Sequence, residues 1–290
     1  MIRPLALAVA VTGLLAAAVP AAARDTSAFD RELIGSCVGC KLPKDMRGLD
    51  LHGLKFTGDD LQSVDFSRAN LRDAVFTGDD LSGARFDGAD LTNAKFIGAD
   101  LRDTSFANAR IDGVRFVGVR LASAHLTPEA GHAVLRECTG CNLEGLDLHG
   151  QDLDGIKIVG SNLEGTNLHG TSLRDGDLVG VNAADADFGA SDLRGATLIG
   201  AVLRDARLGG ATIGDAVLCS DAVTVEDGHV RRTNCTDLRG VDLHGLDFRA
   251  ARWCPSHEDD ASWTRDCRLV TRDELARYAH ADLTGAVTGP

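Results

Sequence analysis

From Leu51 to Leu126 one large apolar residue falls at every fifth position: Leu51, Phe56, Leu61, Phe66, Leu71, Phe76, Leu81, Phe86, Leu91, Phe96, Leu101, Phe106, Ile111, Phe116, Leu121 and Leu126. Two residues before many of them stands something small: Ala69, Ala74, Ala84, Ala89, Ala94, Ala99, Ala109, Ala124. A strict period of five is neither the 3.6 of a helix nor the 2 of a strand. It marks an array whose units cannot bury their own apolar side chains and must stack on one another. A second period lies on the first. Phe56, Phe76, Phe96 and Phe116 stand twenty apart, as do Phe66, Phe86 and Phe106. Four sides of five residues make one coil of twenty, and the next coil then places Phe over Phe and Leu over Leu.

The repeated word is legible at Ala89-Asp90-Leu91-Thr92-Asn93. It resembles the A(D/N)LXX motif of the pentapeptide-repeat family, and in-phase repeats cover most of the chain after its first residues. The resemblance implies an all-β fold, a right-handed quadrilateral parallel β-helix, with the central Leu or Phe and the small residue two before it both facing inward. It says little about function, because a fold is a platform on which sites are placed.

Taken in order, the chain opens with Arg3, an apolar run from Leu5 to Val19 and Ala21-Ala22-Ala23. This is the pattern of an export signal over 1–23, too short for a comfortable membrane span. Cleavage after Ala23 removes Arg3 and leaves 29 basic against 43 acidic residues, a net charge of -14. The expected compartment is periplasmic or extracellular, where disulfides form. A helical cap with Cys37-Val38-Gly39-Cys40 follows over 24–48, then the first array over 49–126. A second helix is expected from Thr127-Pro128-Glu129, with a hydroxyl, Pro in the first turn and an acid near the positive end. It leads to Cys138-Thr139-Gly140-Cys141 within an insert over 127–142. Gly48-Leu49-Asp50-Leu51-His52-Gly53 and Gly145-Leu146-Asp147-Leu148-His149-Gly150 match residue for residue, so the chain reads as a duplicated unit of helix, Cys-x-x-Cys and solenoid.

The second array keeps the period from Leu143 to Leu218, with only Ala183 falling short in size. Its phase is shifted by two residues from the first, so either two solenoids meet at the insert as stacked or angled segments, which is the favoured reading, or one solenoid extrudes the insert as a side loop. Leu218 and Leu238 are twenty apart, so a loop bounded by Cys219 and Cys235 is expected to replace most of a coil within the 143–253 solenoid. Residues 254–290 hold a further loop bounded by Cys254 and Cys267, and Thr271-Arg272-Asp273-Glu274 forms a capping box ahead of a terminal helix. Short helices at the ends of a solenoid cover otherwise unpaired backbone.

Composition bears on function mainly by exclusion. The 290 residues carry a formal net charge of -13, which is not the footprint of a nucleic-acid binder. The acidic surface attracts cations or basic partners only weakly selectively. The eight cysteines, an even number, admit redox, zinc, haem or structural roles. Haem attachment requires His directly after each pair, where Lys41 and Asn142 stand. Redox pairs favour helix N-termini, whereas these follow helices. Zinc held by both pairs requires a rigid rod to fold back on itself. Structural disulfides remain the simplest reading: Cys37 with Cys40, Cys138 with Cys141, Cys219 with Cys235, Cys254 with Cys267.

Two further pairs are candidate metal ligands. His149 and His169 are twenty apart and outward, on adjacent coils. Asp59 and Asp79, also twenty apart, occupy the small inward position, where neighbouring carboxylates raise a pKa or recruit water or a cation. The bland alternatives are surface decoration for the histidines and a wet corner for the aspartates. Stacked polar residues such as Asp60, Asp80 and Asp100, or Asn142, Asn162 and Asn182, read as corner stabilisers. No nucleophile–base set, phosphate cradle or cofactor fingerprint is visible, so the expectation is a non-enzyme without cofactor that binds an unknown protein partner. The alternatives are a DNA-mimic or topoisomerase-binding role, implied by some cytoplasmic members of the family and opposed by the export signal, and a redox or metal-binding envelope protein.

Overall fold

The computed structural model describes residues 42–126, 128–220, 224–226, 229–231, 234–254 and 267–289. The export signal, the helix expected before Cys37, and Cys37 and Cys40 themselves lie outside the described residues.

Each pentad makes one side of a coil. Leu51 is buried, His52 and Gly53 turn the corner, Leu54 is buried again, and Lys55 enters the ladder. The second turn residue takes a left-handed φ, +68° at Gly53, and where glycine is missing it is most often Asp or Asn, as at Asp73, Asn93 and Asp103, with Ser63, Arg68, Ser123 and Ala190 as the other described cases. Asn and Asp tolerate that region better than other side chains, since their short polar groups bond locally. The result is a four-sided parallel β-helix.

On one side the ladder is regular enough to form strands: β1 (Lys55–Thr57), β2 (Val75–Thr77), β3 (Lys95–Ile97), β4 (Arg115–Val117) and β5 (Cys138–Thr139) make a parallel sheet in that order. Phe56 registers with Phe76, Phe76 with Phe96, and Phe96 with Phe116. Their rings stack at 4.7, 4.8 and 5.1 Å between centroids. The second column, Phe66, Phe86 and Phe106, stacks at 5.2 and 5.1 Å and meets the first edge-on. Each such side chain gains about 1.5–3 kcal/mol by leaving water, and offset aromatic contact adds about 0.5–1.5 kcal/mol.

The two arrays share one ladder across the insert. Phe116 registers with Cys138 in β5, and Arg120 bridges Asn142, so the ladder passes the insert on two sides. On the other two sides it stops at Arg110 and His125 and resumes at Asp147 and Asp152. There α1 (Pro128–Leu135) takes the place of one side of the coil and buries Val134 and Leu135. The two-residue phase shift is the difference between that helical side and an ordinary pentad. Gly131 allows the close approach, because a Cβ there would lie 1.9 Å from Oε1 of the buried Gln151. Nδ1 of His132 lies 2.9 Å from the Asp152 carbonyl oxygen.

The second expectation to change concerns the loop at Cys219. Val202 bridges Asp237, 35 residues on, where one coil is twenty. The Cys219 to Cys235 segment is thus an excursion of fifteen additional residues, and Leu238 stacks over Leu203 rather than over Leu218. Its base is β6 (Val217–Ser220) against β9 (Asn234–Cys235), with Cys219 opposite Cys235; its arm is the hairpin of β7 (Thr224–Glu226) and β8 (His229–Arg231). The coil then continues through β10 (Arg252–Cys254), which pairs in parallel with β6 and antiparallel with β11 (Arg268–Leu269).

The terminal helix α2 (Arg272–Tyr278) starts at the expected capping box: Thr271 Oγ1 accepts from the Glu274 N–H, and the Glu274 carboxylate accepts from the Thr271 N–H. Beyond it the chain lays down one more partial coil. Leu283 is buried and Asp247 bridges Val287. The word Ala281-Asp282-Leu283-Thr284-Gly285 carried that signal in the sequence.

Candidate functional site

Asp59 and Asp79 are brought together. Both are buried, and the Asp59 N–H donates to Asp79 Oδ1 at 2.8 Å, while Asp59 Oδ2 accepts from the Thr57 N–H at 3.0 Å. Asp79 Oδ2 is buried without a hydrogen-bond partner. Burial, opposed by the backbone hydrogen bonds and reinforced by the Asp59 charge, pushes the Asp79 carboxyl up to about 6. The next coils of this column place Ala99 and Val119 in the same inward position, which shows what the site holds when it is merely packed.

The pH consequence has a definite sign. Asp79 titrates at 3.8 when unperturbed and at about 6 in the fold. The folded state therefore holds the proton more tightly. The penalty for ionising it is absent below about pH 4, grows between 4 and 6, and stands in full above 6. Asp79→Asn is expected to raise stability by about 2–3 kcal/mol at pH 8 and to change little at pH 4. Denaturant titrations of both proteins across that range measure it; a gain of the same size at both ends refutes the burial argument.

The histidines are arranged differently. His149 Nδ1 lies 2.8 Å from Asp147 Oδ1, within its own coil, and the matching word gives His52 Nδ1 3.2 Å from Asp50 Oδ1. His169 Nδ1 lies 3.8 Å from Asp187 Oδ1 of the following coil. His149 and His169 are both exposed, and each faces a different carboxylate. Among the described residues no group of three or more His, Cys, Asp or Glu side chains is gathered to hold a metal ion.

Cys138 and Cys141 form a disulfide wholly inside the solenoid, Cys138 in the column of Phe116 and Cys141 in the small inward position. Cys219–Cys235 and Cys254–Cys267 are also bonded. Cys219 and Cys254 are buried.

The outward corners are occupied by short-range pairing. Asp100, Asp192, Asp237 and Asp247 each accept from the backbone N–H two residues on and from the guanidinium of Arg102, Arg194, Arg239 and Arg249. The Arg194 hydrogen bond holds Asp192 down at about 2. Asn162 and Asn182 each donate Nδ2 to the Oδ1 of the asparagine one coil before, at 3.4 and 3.1 Å. These side chains stabilise corners, which is the role their spacing suggested.

One side of the molecule has a character that reasoning from single pentads missed. Beside β1 to β5 and their continuation, the first turn position reads Thr57, Thr77, Ile97, Val117, Thr139, Val159, Val179, Ile199, and the second reads Gly58, Gly78, Gly98, Gly118, Gly140, Gly160, Gly180, Gly200. Every one of those glycines has a positive φ. The period-twenty recurrence of glycine was the available signal.

Family comparison agrees with this architecture. Residues 49–126 match the model described as a pentapeptide repeat region, and 152–182 and 184–218 match the model of pentapeptide repeats in eight copies. The chain belongs to the pentapeptide-repeat family. Similar solved structures include HetL, a pentapeptide repeat protein involved in heterocyst differentiation regulation from the cyanobacterium Nostoc, 23% identical over 68% of this chain and 94% of that one, with a TM-score of 0.29. A pentapeptide repeat protein from the Arabidopsis thaliana thylakoid lumen is 25% identical over 42% and 70%, with a TM-score of 0.27. Trypsin-treated QnrB1, a plasmid-mediated fluoroquinolone resistance protein, is 20% identical over 72% and 88%, with a TM-score of 0.30. Whole-chain superposition is low in each case, so membership rests on the repeat matches. No curated protein matches the chain. Among the described residues of this pentapeptide-repeat protein no helix is long and apolar enough to cross a membrane.

Proposed function

We propose that this pentapeptide-repeat protein is an exported, non-enzymatic interaction solenoid that works in the periplasm or outside the cell by presenting its flat sides to a protein partner. The observation that carries the reading is how the interior is used. Both inward positions of every regular pentad are filled, and the residues with chemical potential are sealed in (Asp59, Asp79, Cys138, Cys141) or dispersed along the surface (His149, His169). What remains available is side-chain pattern on long ladders, which suits recognition.

Export is supported by the Arg3 to Ala23 pattern and by disulfides, which oxidising compartments favour. The acidic DNA-mimic alternative is opposed by the same pattern. It is opposed also by the surface itself: Asp100, Asp192, Asp237 and Asp247 are each neutralised by an arginine two residues away, so they do not form a bare anionic row. The redox alternative is opposed by the burial of Cys138 and Cys141.

Fractionation of the producing cell, followed by affinity capture from the envelope with the Cys219–Cys235 and Cys254–Cys267 loops intact and then deleted, tests the proposal. Mature protein outside the cytoplasm with a reproducible protein partner is the expected result. Retention in the cytoplasm with an intact leader refutes export, and turnover of a small molecule by pure protein refutes the non-enzymatic assignment.

A further inference from the structure

The side bearing Thr57 to Ile199 differs from the other three in three independent ways. Its second turn column is glycine at every coil, and at Gly58, Gly78, Gly98, Gly118, Gly140, Gly160 and Gly180 a Cβ would meet nothing within 4 Å. A trough of bare backbone therefore runs along the rod. Beside it lies the β-branched column, in which Ile97 and Val117 are 41% and 46% exposed, two of the few large hydrophobics on the described surface. On the other flank, the ladder position reads Lys55, Val75, Lys95, Arg115, Glu137 and Lys157, four basic residues and one acid. The three lysines are exposed and have no ion pair among the described residues, unlike the arginines that neutralise aspartates at the other corners; Arg115 lies 3.6 Å from Glu137.

The chain itself shows that this strip accepts protein. At its far end Ile199 is buried, packed with Val217, Val179 and the bonded Cys254 and Cys267, and Asn234 covers Gly200. From Thr57 to Val159 no described residue does the same. At a rung spacing of about 4.8 Å the open part is about 24 Å long.

We infer that this strip is the docking surface for an acidic amphipathic segment of a partner protein, one whose apolar side chains lie on Thr57 to Val159 and the glycine trough while its carboxylates meet Lys55, Lys95, Arg115 and Lys157. The inference rests on the interaction reading above and names its surface. On a molecule of net charge -13, a column of four basic residues interrupted by one acid, Glu137, beside the β-branched strip favours negative partners, whereas the acidic remainder repels them. A helix of about sixteen residues spans the open length.

The test uses the mature chain and defined probes. One is a sixteen-residue helical peptide with a leucine stripe and glutamates elsewhere; a second is an extended peptide alternating valine and glutamate. Matched controls carry lysine for glutamate, or serine for the apolar residue. Fluorescence anisotropy is expected to show binding of at least one acidic probe that weakens with salt. It should weaken about tenfold in Lys55→Glu/Lys95→Glu/Lys157→Glu and again in Ile97→Asp/Val117→Asp, with unchanged thermal melts confirming the fold. The proposal is overturned if neither acidic probe binds, if a control binds equally, or if both variants bind as the parent does. A dimer in sedimentation that the variants abolish would assign the strip to a second copy and also overturn it. Envelope partners captured equally by the parent and the strip variants would remove this surface while leaving the interaction reading in place.

Discussion

Phe76→Ala is expected to destabilise the solenoid by about 3–5 kcal/mol. The ring is buried, stacked between Phe56 and Phe96 at 4.7 and 4.8 Å and met edge-on by Phe66 and Phe86 at 6.1 and 6.2 Å. Four rings thus lose a neighbour at once. A rod whose coils are pinned by continuous hydrogen bonds, such as Phe76 registered with Phe96, cannot collapse to fill the space. Thr77→Ala, one residue along and exposed, should change stability by less than about 0.5 kcal/mol. Equilibrium denaturation of the two variants beside the parent measures the contrast. Similar losses at both positions would contradict the inward column.

Removing the Cys219–Cys235 disulfide, as Cys219→Ala/Cys235→Ala, is expected to lower stability by about 3 kcal/mol. The bond closes a loop of sequence separation 16, and the excursion it closes enters and leaves one coil. Thr236 immediately follows; its hydroxyl donates to the Leu198 carbonyl at 2.7 Å, and its N–H donates to the Leu218 carbonyl at 2.8 Å. Freeing the excursion raises the entropy of the unfolded chain and loosens the return to Asp237. Hydrogen exchange should quicken first around Val202 and Asp237, with the Phe56 to Phe116 columns unaffected. An unchanged denaturation midpoint would show that the excursion is thermodynamically separate from the rod. By contrast, the Cys138–Cys141 bond lies in the core and should resist mild reductant in the native state.

Much of this architecture was readable in the chain because one side chain in five has only one place to go. The phenylalanine columns, the capping box at Thr271 and the corner roles of Asn142, Asn162 and Asn182 follow from local spacing, which the fold repeats without change. What misled was arithmetic that ignores insertions. Leu218 and Leu238 are twenty apart by coincidence, since fifteen additional residues leave the rod between them, and a helix replaces one side of a coil after Leu126. Phase within a segment survives such events, but phase between segments does not. The proximity of Asp59 to Asp79 followed from the period; the orphaned Asp79 oxygen did not, because it depends on which backbone N–H points into the corner. The glycine trough was present as a recurrence of twenty, and a reading centred on apolar positions passes over it.

The place where Val202 meets Asp237 also marks where foreign sequence can be added. The ladder resumes across the hairpin, directly at Val202 and Asp237 and with one register shift between β6 and β10. A peptide epitope or reporter domain exchanged for that hairpin, between Ser220 and Asn234, leaves each neighbouring turn with its own ladder. The rod then serves as a ruler, holding the graft at a fixed distance and heading from whatever lies along its sides.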